Sequence, residues 1–282
     1  MSFNRENFEF SFEFFPPKND EGEKRLQEAV HELKPFNPAY CSVTFGAGGS
    51  TRERTFDTVD WIQREAGIDA TPHLSCIGSR KEDIREILQR YHDAGVKRII
   101  ALRGDIPEDE EAFKEGGFRY ANELVSFIKD EFPGFEVVVG AYPEYHPEAP
   151  DPITDLENFV RKVKAGADVA TTQYFFNNLA YYQFVEDVQR MGVDLPIKVG
   201  LMPITNFKQI DRFSQMCGAD IPAWIRKRME HYGDDAESQK ELGIEIATRQ
   251  AEELLNNGIP GIHFYTLNKA EATKRIWENL GL

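Results

Sequence analysis

A single-domain α/β protein of the (β/α)8 TIM-barrel class is the fold this sequence predicts, on three observations. Eight short β-branched or aromatic runs alternate with amphipathic stretches from one end of the chain to the other, the pattern of a parallel sheet with crossover helices. Amphipathic stretches end in glycine a few residues before the next run at Gly67, Gly95, Gly166 and Gly192, natural left-handed residues after a helix. The chain has 282 residues and no Pro/Ser/Gly tract divides it, which suits one barrel from 1 to 282.

The first run, FEFSFEFF at 8–15, stops at Pro16-Pro17, and behind it Leu26, Ala29, Val30 and Leu33 recur at helical spacing. AYCSVTFG at 39–46 and DATPHLSC at 69–76 follow as strands two and three. Ile84, Ile87, Leu88 and Tyr91 mark the next helix before RIIALRG at 98–104 and EVVVGAYP at 136–143. Leu156, Phe159, Val160 and Val163 then lead to VATTQYFF at 169–176 and PIKVGLMP at 196–203. The last strand is IHFYTL at 262–267; the long excursion before it, 204–261, is helical in pattern and is expected to form a lid or a subunit contact.

The alternative fold is an open doubly wound sheet, which would need a glycine-rich phosphate loop. GAGGS at 46–50 nearly offers one, but Gly46 and Gly48 would require glycine at 51, where Thr51 stands. Gly48 and Gly49 are read as a tight turn.

The formal net charge of -15 argues against a broad nucleic-acid surface, since phosphate binding needs clustered Lys and Arg. No apolar run reaches the roughly 20 residues that span a bilayer, and the N-terminus has no basic-then-apolar signal pattern, so a cytoplasmic location is expected. Cys41, Cys76 and Cys217 are odd in number and lack CxxC spacing, which fits reduced, packed thiols.

In a TIM barrel chemistry collects at the C-terminal ends of the strands. Those ends carry Glu13, Thr44, His73, Arg103-Gly104-Asp105, Tyr142 with Glu144 and His146, and Gln173. Glu13 lies in a run with Phe8, Phe10, Phe12, Phe14 and Phe15. Desolvation raises a carboxyl pKa, so an aromatic-walled Glu13 is expected to be a protonated general acid near neutral pH; an ion pair with Arg103 across the mouth is the alternative. His73 is a ligand, a base or a satisfied core histidine. His146 and His263 could join it around a metal, but strand one has Phe12-Glu13-Phe14 where metal-dependent barrel hydrolases carry His-x-His, so no metal is expected. Arg161 and Lys162 could hold a diphosphate or form a solvated helix face. Phe175, Phe176 and Phe207 fit core or lid packing.

The order and spacing of FEFFPPK, SVTFGAGGS, TPHLSC, ALRGD, AYPEYHPEA, TTQYFF, NFKQ and HFYTLNKA resemble the catalytic barrel of the short bacterial methylenetetrahydrofolate reductases nearly end to end. The resemblance implies a non-covalent FAD, NADH or NADPH as co-substrate, and reduction of 5,10-methylenetetrahydrofolate to 5-methyltetrahydrofolate by ping-pong hydride transfer, in one-carbon metabolism and methionine supply. By position it implies Glu13 as general acid to the folate nitrogen and Asp105 as a carboxylate near flavin and pterin. Substrate contacts would come from Thr44, Gln173, Phe207 and Lys269. The FAD set would be Phe45, Ala47, His73, Arg103, Gly104, Asp105, Tyr120, Ala121, Tyr142, His146, Ala149, Asp155, Asn158, Arg161 and Lys162, with Ala167 a small position behind the cofactor helix. Phe45 stands where Tyr is frequent and Lys269 where some members have Arg, a point charge in place of a bidentate donor.

The resemblance also implies a homo-oligomer, and leaves open an electron-transfer partner protein in place of NAD(P)H. The larger eukaryotic enzymes add a C-terminal adenosylmethionine-sensing domain; this chain stops after the eighth helix, so no such feedback is expected. A non-redox, pterin-binding methyltransferase barrel is the enzymatic rival, and a silent assembly subunit the rival of another class.

Overall fold

Eight parallel strands close on themselves in the computed structural model, which describes residues 8–45, 49–105 and 117–282. In chain order they are β1 (Glu9–Phe14), β2 (Tyr40–Val43), β3 (Ala70–Ser75), β4 (Arg98–Leu102), β5 (Glu136–Ala141), β6 (Val169–Thr172), β7 (Ile197–Leu201) and β8 (Gly261–Tyr265). Each pairs with its sequence neighbour, and β1 pairs with β8 in the register Ser11 to His263 and Glu13 to Tyr265. The barrel expected from the alternating pattern is present, and each sequence run contains or overlaps its strand.

The outer helices are α1 (Asp20–Leu33), α2 (Gly49–Trp61), α3 (Lys81–Asp93), α4 (Ala121–Glu131), α5 (Pro152–Lys164), α6 (Asn178–Arg190), α7 (Phe207–Cys217), α8 (Ala223–Tyr232), α9 (Ala236–Asn256) and α10 (Glu271–Asn279). Local chemistry sets their starts: Asn19, Asp151, Asn177 and Asn206 each accept a backbone N–H from the first turn of the helix they precede. The four glycines read as helix-to-strand turns have φ between 67° and 115°, a region in which a side chain is strained.

Strand alternation divides the molecule into two interiors. One face of each strand turns outward: Phe10, Phe12, Phe14, Cys41, Val43, Leu74, Ile99, Val199 and Phe264 join the helices in the main apolar core. Phe10 meets the Trp277 ring of α10 at 4.2 Å between centroids. The other face fills the barrel, and on the β1–β3 and β8 side it is polar. Ser11, Ser42, Thr71 and His263 are all buried there, opposite an apolar cluster of Ile100, Val138 and Val169. Its floor holds the ion pairs Lys198–Glu9 and, at 2.7 Å, Arg98–Glu136, with both cations over the Tyr40 ring.

The excursion between β7 and β8 is helical as expected, but only its first part is additional. The last helix, α9, contributes Ile244, Ala247, Ala251 and Leu254 to the main core, as an ordinary barrel helix does. Helices α7 and α8 build a second apolar cluster over the rim, in which Ile204, Phe207, Ile210, Ile225 and Met229 pack with Tyr174.

Candidate active site

Glu13, the last inward-facing residue of β1, corrects the expectation of an aromatic wall. Residues 10, 12 and 14 of a strand point away from residue 13, so the phenylalanines line the outer core while Glu13 meets imidazoles. Its Oε2 lies 3.5 Å from His263 Nε2 and 3.3 Å from His73 Nε2. The His73 nitrogen is buried and not aligned for a hydrogen bond, so that contact is a close approach. Burial pushes the Glu13 carboxyl up, but the His263 and His73 imidazoles beside it outweigh that and bring the pKa down to about 2. A carboxyl protonated near neutral pH was expected; the resting protein has a carboxylate. The Arg103 pairing does not occur either, because that guanidinium is bound to Glu148 at 2.7 Å.

The ring of His263 is buried and fixed by two hydroxyls, Ser11 Oγ at 2.7 Å from Nδ1 and Ser42 Oγ at 3.2 Å from Nε2. Burial pulls its pKa down, partly opposed by Glu13, which favours a neutral ring. Tyr265, two residues on, spans the barrel: its hydroxyl donates to the Thr172 carbonyl at 2.8 Å. Gly200 makes room for it, since a Cβ there would lie 2.7 Å from the Tyr265 ring. His263 was considered in the sequence only beside a metal, and Ser11, Ser42 and Tyr265 were not singled out. The signal available was inner-face parity with Glu13 along β1 and β8.

Across the mouth, β4, β5 and α5 present cations. Arg103 Nε donates to the Gly104 carbonyl at 3.0 Å, and Gly104 has φ +88° with Ser75 Cβ 2.9 Å from where its own Cβ would stand. Asp155, Asn158 and Lys162 share one face of α5 by their spacing of three and four. Asp155 accepts the His146 N–H at 2.9 Å, and the His146 ring meets Tyr142 edge-on at 4.6 Å. Burial pulls the Lys162 ammonium down to about 8, with Asp155 opposing it, and the ammonium donates to the Gly140 carbonyl at 2.5 Å. Arg161 is more exposed and holds Asn158 at 2.5 Å and Glu157 at 3.1 Å. The Ala149 N–H donates to the His146 carbonyl at 2.9 Å, closing that loop.

The remaining residues fall around the same rim with differing access. Asp105 and Lys269 are exposed, and Tyr120 and Ala121 open α4, where the Glu123 side chain accepts the Tyr120 N–H at 3.3 Å. Thr44 and Phe45 follow β2; Thr44 accepts Thr55 Oγ1 through its carbonyl at 3.1 Å. Gln173 follows β6. Phe207 begins α7 as a buried member of the second apolar cluster, with the Arg226 guanidinium 5.6 Å from its ring. Ala47 lies outside the described residues. Glu144, beyond β5, accepts the Asp220 N–H at 2.8 Å, and burial raises its pKa to about 7. The arrangement as a whole offers proton exchange at Glu13 and anion binding about Arg103 and Lys162.

Comparison with known proteins finds similar sequences and folds. The family model described as methylenetetrahydrofolate reductase matches residues 1–281. The chain is 39% identical over 274 residues to 5,10-methylenetetrahydrofolate reductase of Pectobacterium carotovorum subsp. carotovorum, covering 96% of this chain and 90% of that protein. It is 36% identical to "Methylenetetrahydrofolate reductase (NADH) 1" of Arabidopsis thaliana, covering 97% of this chain and 48% of that longer protein. Among solved structures, a Clostridium thermocellum protein described as binding two copies of 5-methyl-5,6,7,8-tetrahydrofolic acid shares the fold, with a TM-score of 0.67 at 15% identity over 98% of this chain and 95% of that one.

Proposed function

The chain belongs to the methylenetetrahydrofolate reductase family and is an oxidoreductase of that type, and from this premise we propose a flavoenzyme in which NAD(P)H and methylenetetrahydrofolate react in turn at one barrel mouth. The observation that carries the reading is the Glu13 carboxylate between His73 and His263, facing a rim whose far side is cationic.

FAD suits the cationic side. Arg103 holds the chain's own Glu148 carboxylate, which stands in for an anion, and Lys162 is a half-buried ammonium whose charge a diphosphate would compensate. Gly104 lets the β4 end pass close to Ser75 and Ile77, where a Cβ would clash, and so sets the backbone beside Arg103. In this reading Arg103, Gly104, Asn158, Arg161 and Lys162 hold the diphosphate and ribose portions, and Thr44, Phe45, Ala47, His73, Tyr120, Ala121, Tyr142, His146, Ala149 and Asp155 complete the site. When bound, FAD supplies hydride acceptance from NAD(P)H and hydride donation to the folate.

Glu13 supplies the proton chemistry. Opening of the five-membered folate ring needs a proton on the departing nitrogen and leaves a cationic iminium carbon. Glu13 delivers that proton from its carboxyl and, as a carboxylate, then faces the cation. Asp105 adds a second negative charge near the flavin and pterin. Gln173 and Thr44 orient folate and nicotinamide, Phe207 shapes the wall, and Lys269 meets the anionic end of a substrate. The same reading takes residues 1–282 as one catalytic domain of a cytoplasmic homo-oligomer serving one-carbon metabolism and methionine supply. No helix among the described residues is long and apolar enough to cross a membrane.

An anaerobic absorbance scan tests the reading. The expected result is a flavin band that bleaches with NADH and returns with methylenetetrahydrofolate. Absence of the band after reconstitution with FAD would overturn it in favour of a non-redox folate barrel.

A further inference from the structure

The Arg103 guanidinium already has an anion, and the chain itself supplies it. Its Nε donates to the Gly104 carbonyl at 3.0 Å, which fixes the plane of the group and leaves the terminal nitrogens to face an anion. One of them is 2.7 Å from the Glu148 carboxylate, and the Glu148 side chain keeps 48% of its surface exposed against 22% for Arg103. Glu148 comes from the loop between β5 and α5, so the pair bridges the rim on its cationic side. We propose that Glu148 is a built-in competitor for that anion site, holding Arg103 until the diphosphate of FAD takes its place, and so sets how readily the cofactor enters. The inference rests on reading the Arg103 and Lys162 rim as the diphosphate site.

The two cations and the loop meet at His146. Burial and the Arg103 cation pull that imidazole's pKa down, Glu148 and Asp155 oppose them, and Lys162 adds to the fall, so all four charges lie around one ring. A diphosphate that reaches both cations therefore enters the field of the Glu148 carboxylate. The loop pins its backbone and leaves that carboxylate free to swing. The Glu148 N–H donates to His146 Nδ1 at 3.1 Å and the His146 N–H to Asp155 at 2.9 Å, while Glu144 accepts the Asp220 N–H at 2.8 Å from the turn between α7 and α8. Between these anchors Tyr145 has φ +110°, a region strained for a residue with a side chain. Lys162 holds a neutral group instead, the Gly140 carbonyl. A carboxylate that occupies the guanidinium lowers the cofactor's apparent affinity by the fraction of time the site is open. A half-exposed pair is broken at little cost, so the expected penalty is about fivefold.

Glu148→Gln and Glu148→Ala remove the competing charge from an exposed position. FAD binding to the flavin-free protein, followed by quenching of flavin fluorescence, is expected to tighten about fivefold in both, through faster association with release unchanged within about twofold. A purely structural role moves the other rate, since a loosened loop releases the cofactor faster. Inorganic pyrophosphate, which carries the same anion without the flavin, should raise the thermal midpoint of the flavin-free variants more than that of wild type. Unchanged or weaker FAD affinity in the two variants, a gain that comes wholly from slower release, or an equal pyrophosphate shift in variants and wild type would overturn the competitor role. Failure of the wild-type protein to take up FAD at all would instead overturn the cofactor reading beneath it.

Discussion

The Glu13 carboxylate and the neutral His263 ring make the fold sensitive to acid in the same direction. Burial raises Glu13, but imidazole contacts lower it from 4.5 to about 2, so its contribution is present above pH 4.5 and is lost as pH falls toward 2. His263 is lowered from 6.5 by burial, so below that pH the unfolded chain binds a proton more readily than the native one and stability falls. Wild-type stability, measured by urea unfolding at a series of pH values, should therefore decline from about pH 6.5 downward, with a further loss below 4.5. Glu13→Gln should flatten the lower part of that curve. An identical profile below pH 4.5 in the variant would show that Glu13 is not held by the imidazoles.

Helix α5 holds the half-buried Lys162 ammonium against the Gly140 carbonyl of β5. Desolvation lowers Lys162 to about 8, so keeping it charged at pH 7 costs stability in the absence of an anion. Lys162→Met should then leave the thermal midpoint of the cofactor-free protein within a few degrees of wild type, while FAD affinity, measured by fluorescence titration, falls about tenfold or more. A large drop in midpoint with unchanged affinity would assign Lys162 to structure, through its bond to Gly140. The turn behind α5 gives a companion test. Ala167 packs against the main core, and its N–H reaches the Lys162 carbonyl at 3.4 Å. Two added methyl groups in Ala167→Val overfill that contact at a cost of about 1–3 kcal/mol. The shift should reach α5 and speed FAD loss on dilution; retention equal to wild type would remove Ala167 from the cofactor's support.

At the scale of the whole molecule, closure makes the barrel one cooperative unit. β8 is hydrogen-bonded to both β1 and β7, and its outward residues Ile262 and Phe264 are fully buried. Removing residues 257–282 exposes two inner strand edges together with that apolar surface. The truncated chain should show no cooperative thermal transition by circular dichroism, whereas a sharp one would mean the sheet closes without β8.

The run-and-glycine rhythm determined the eight strands and their helices, because periodicity and turn chemistry are local and each run meets the same requirement of burial. It also placed Glu13, Thr44, His73, Tyr142 and Gln173 at one end of the barrel, since parallel strands bring their C-terminal ends together. Local reading misjudged Glu13's surroundings, because neighbours in a strand point to opposite faces. The groups that set its charge, His263 and His73, lie on strands adjoining β1 and two away from it. Tertiary structure alone decided that the carboxyl is ionised, that Arg103 pairs with Glu148, and that α9 belongs to the barrel while α7 and α8 cap it. Electrostatic environment and packing partners depend on distances between residues far apart in the chain, which only closure of the barrel fixes.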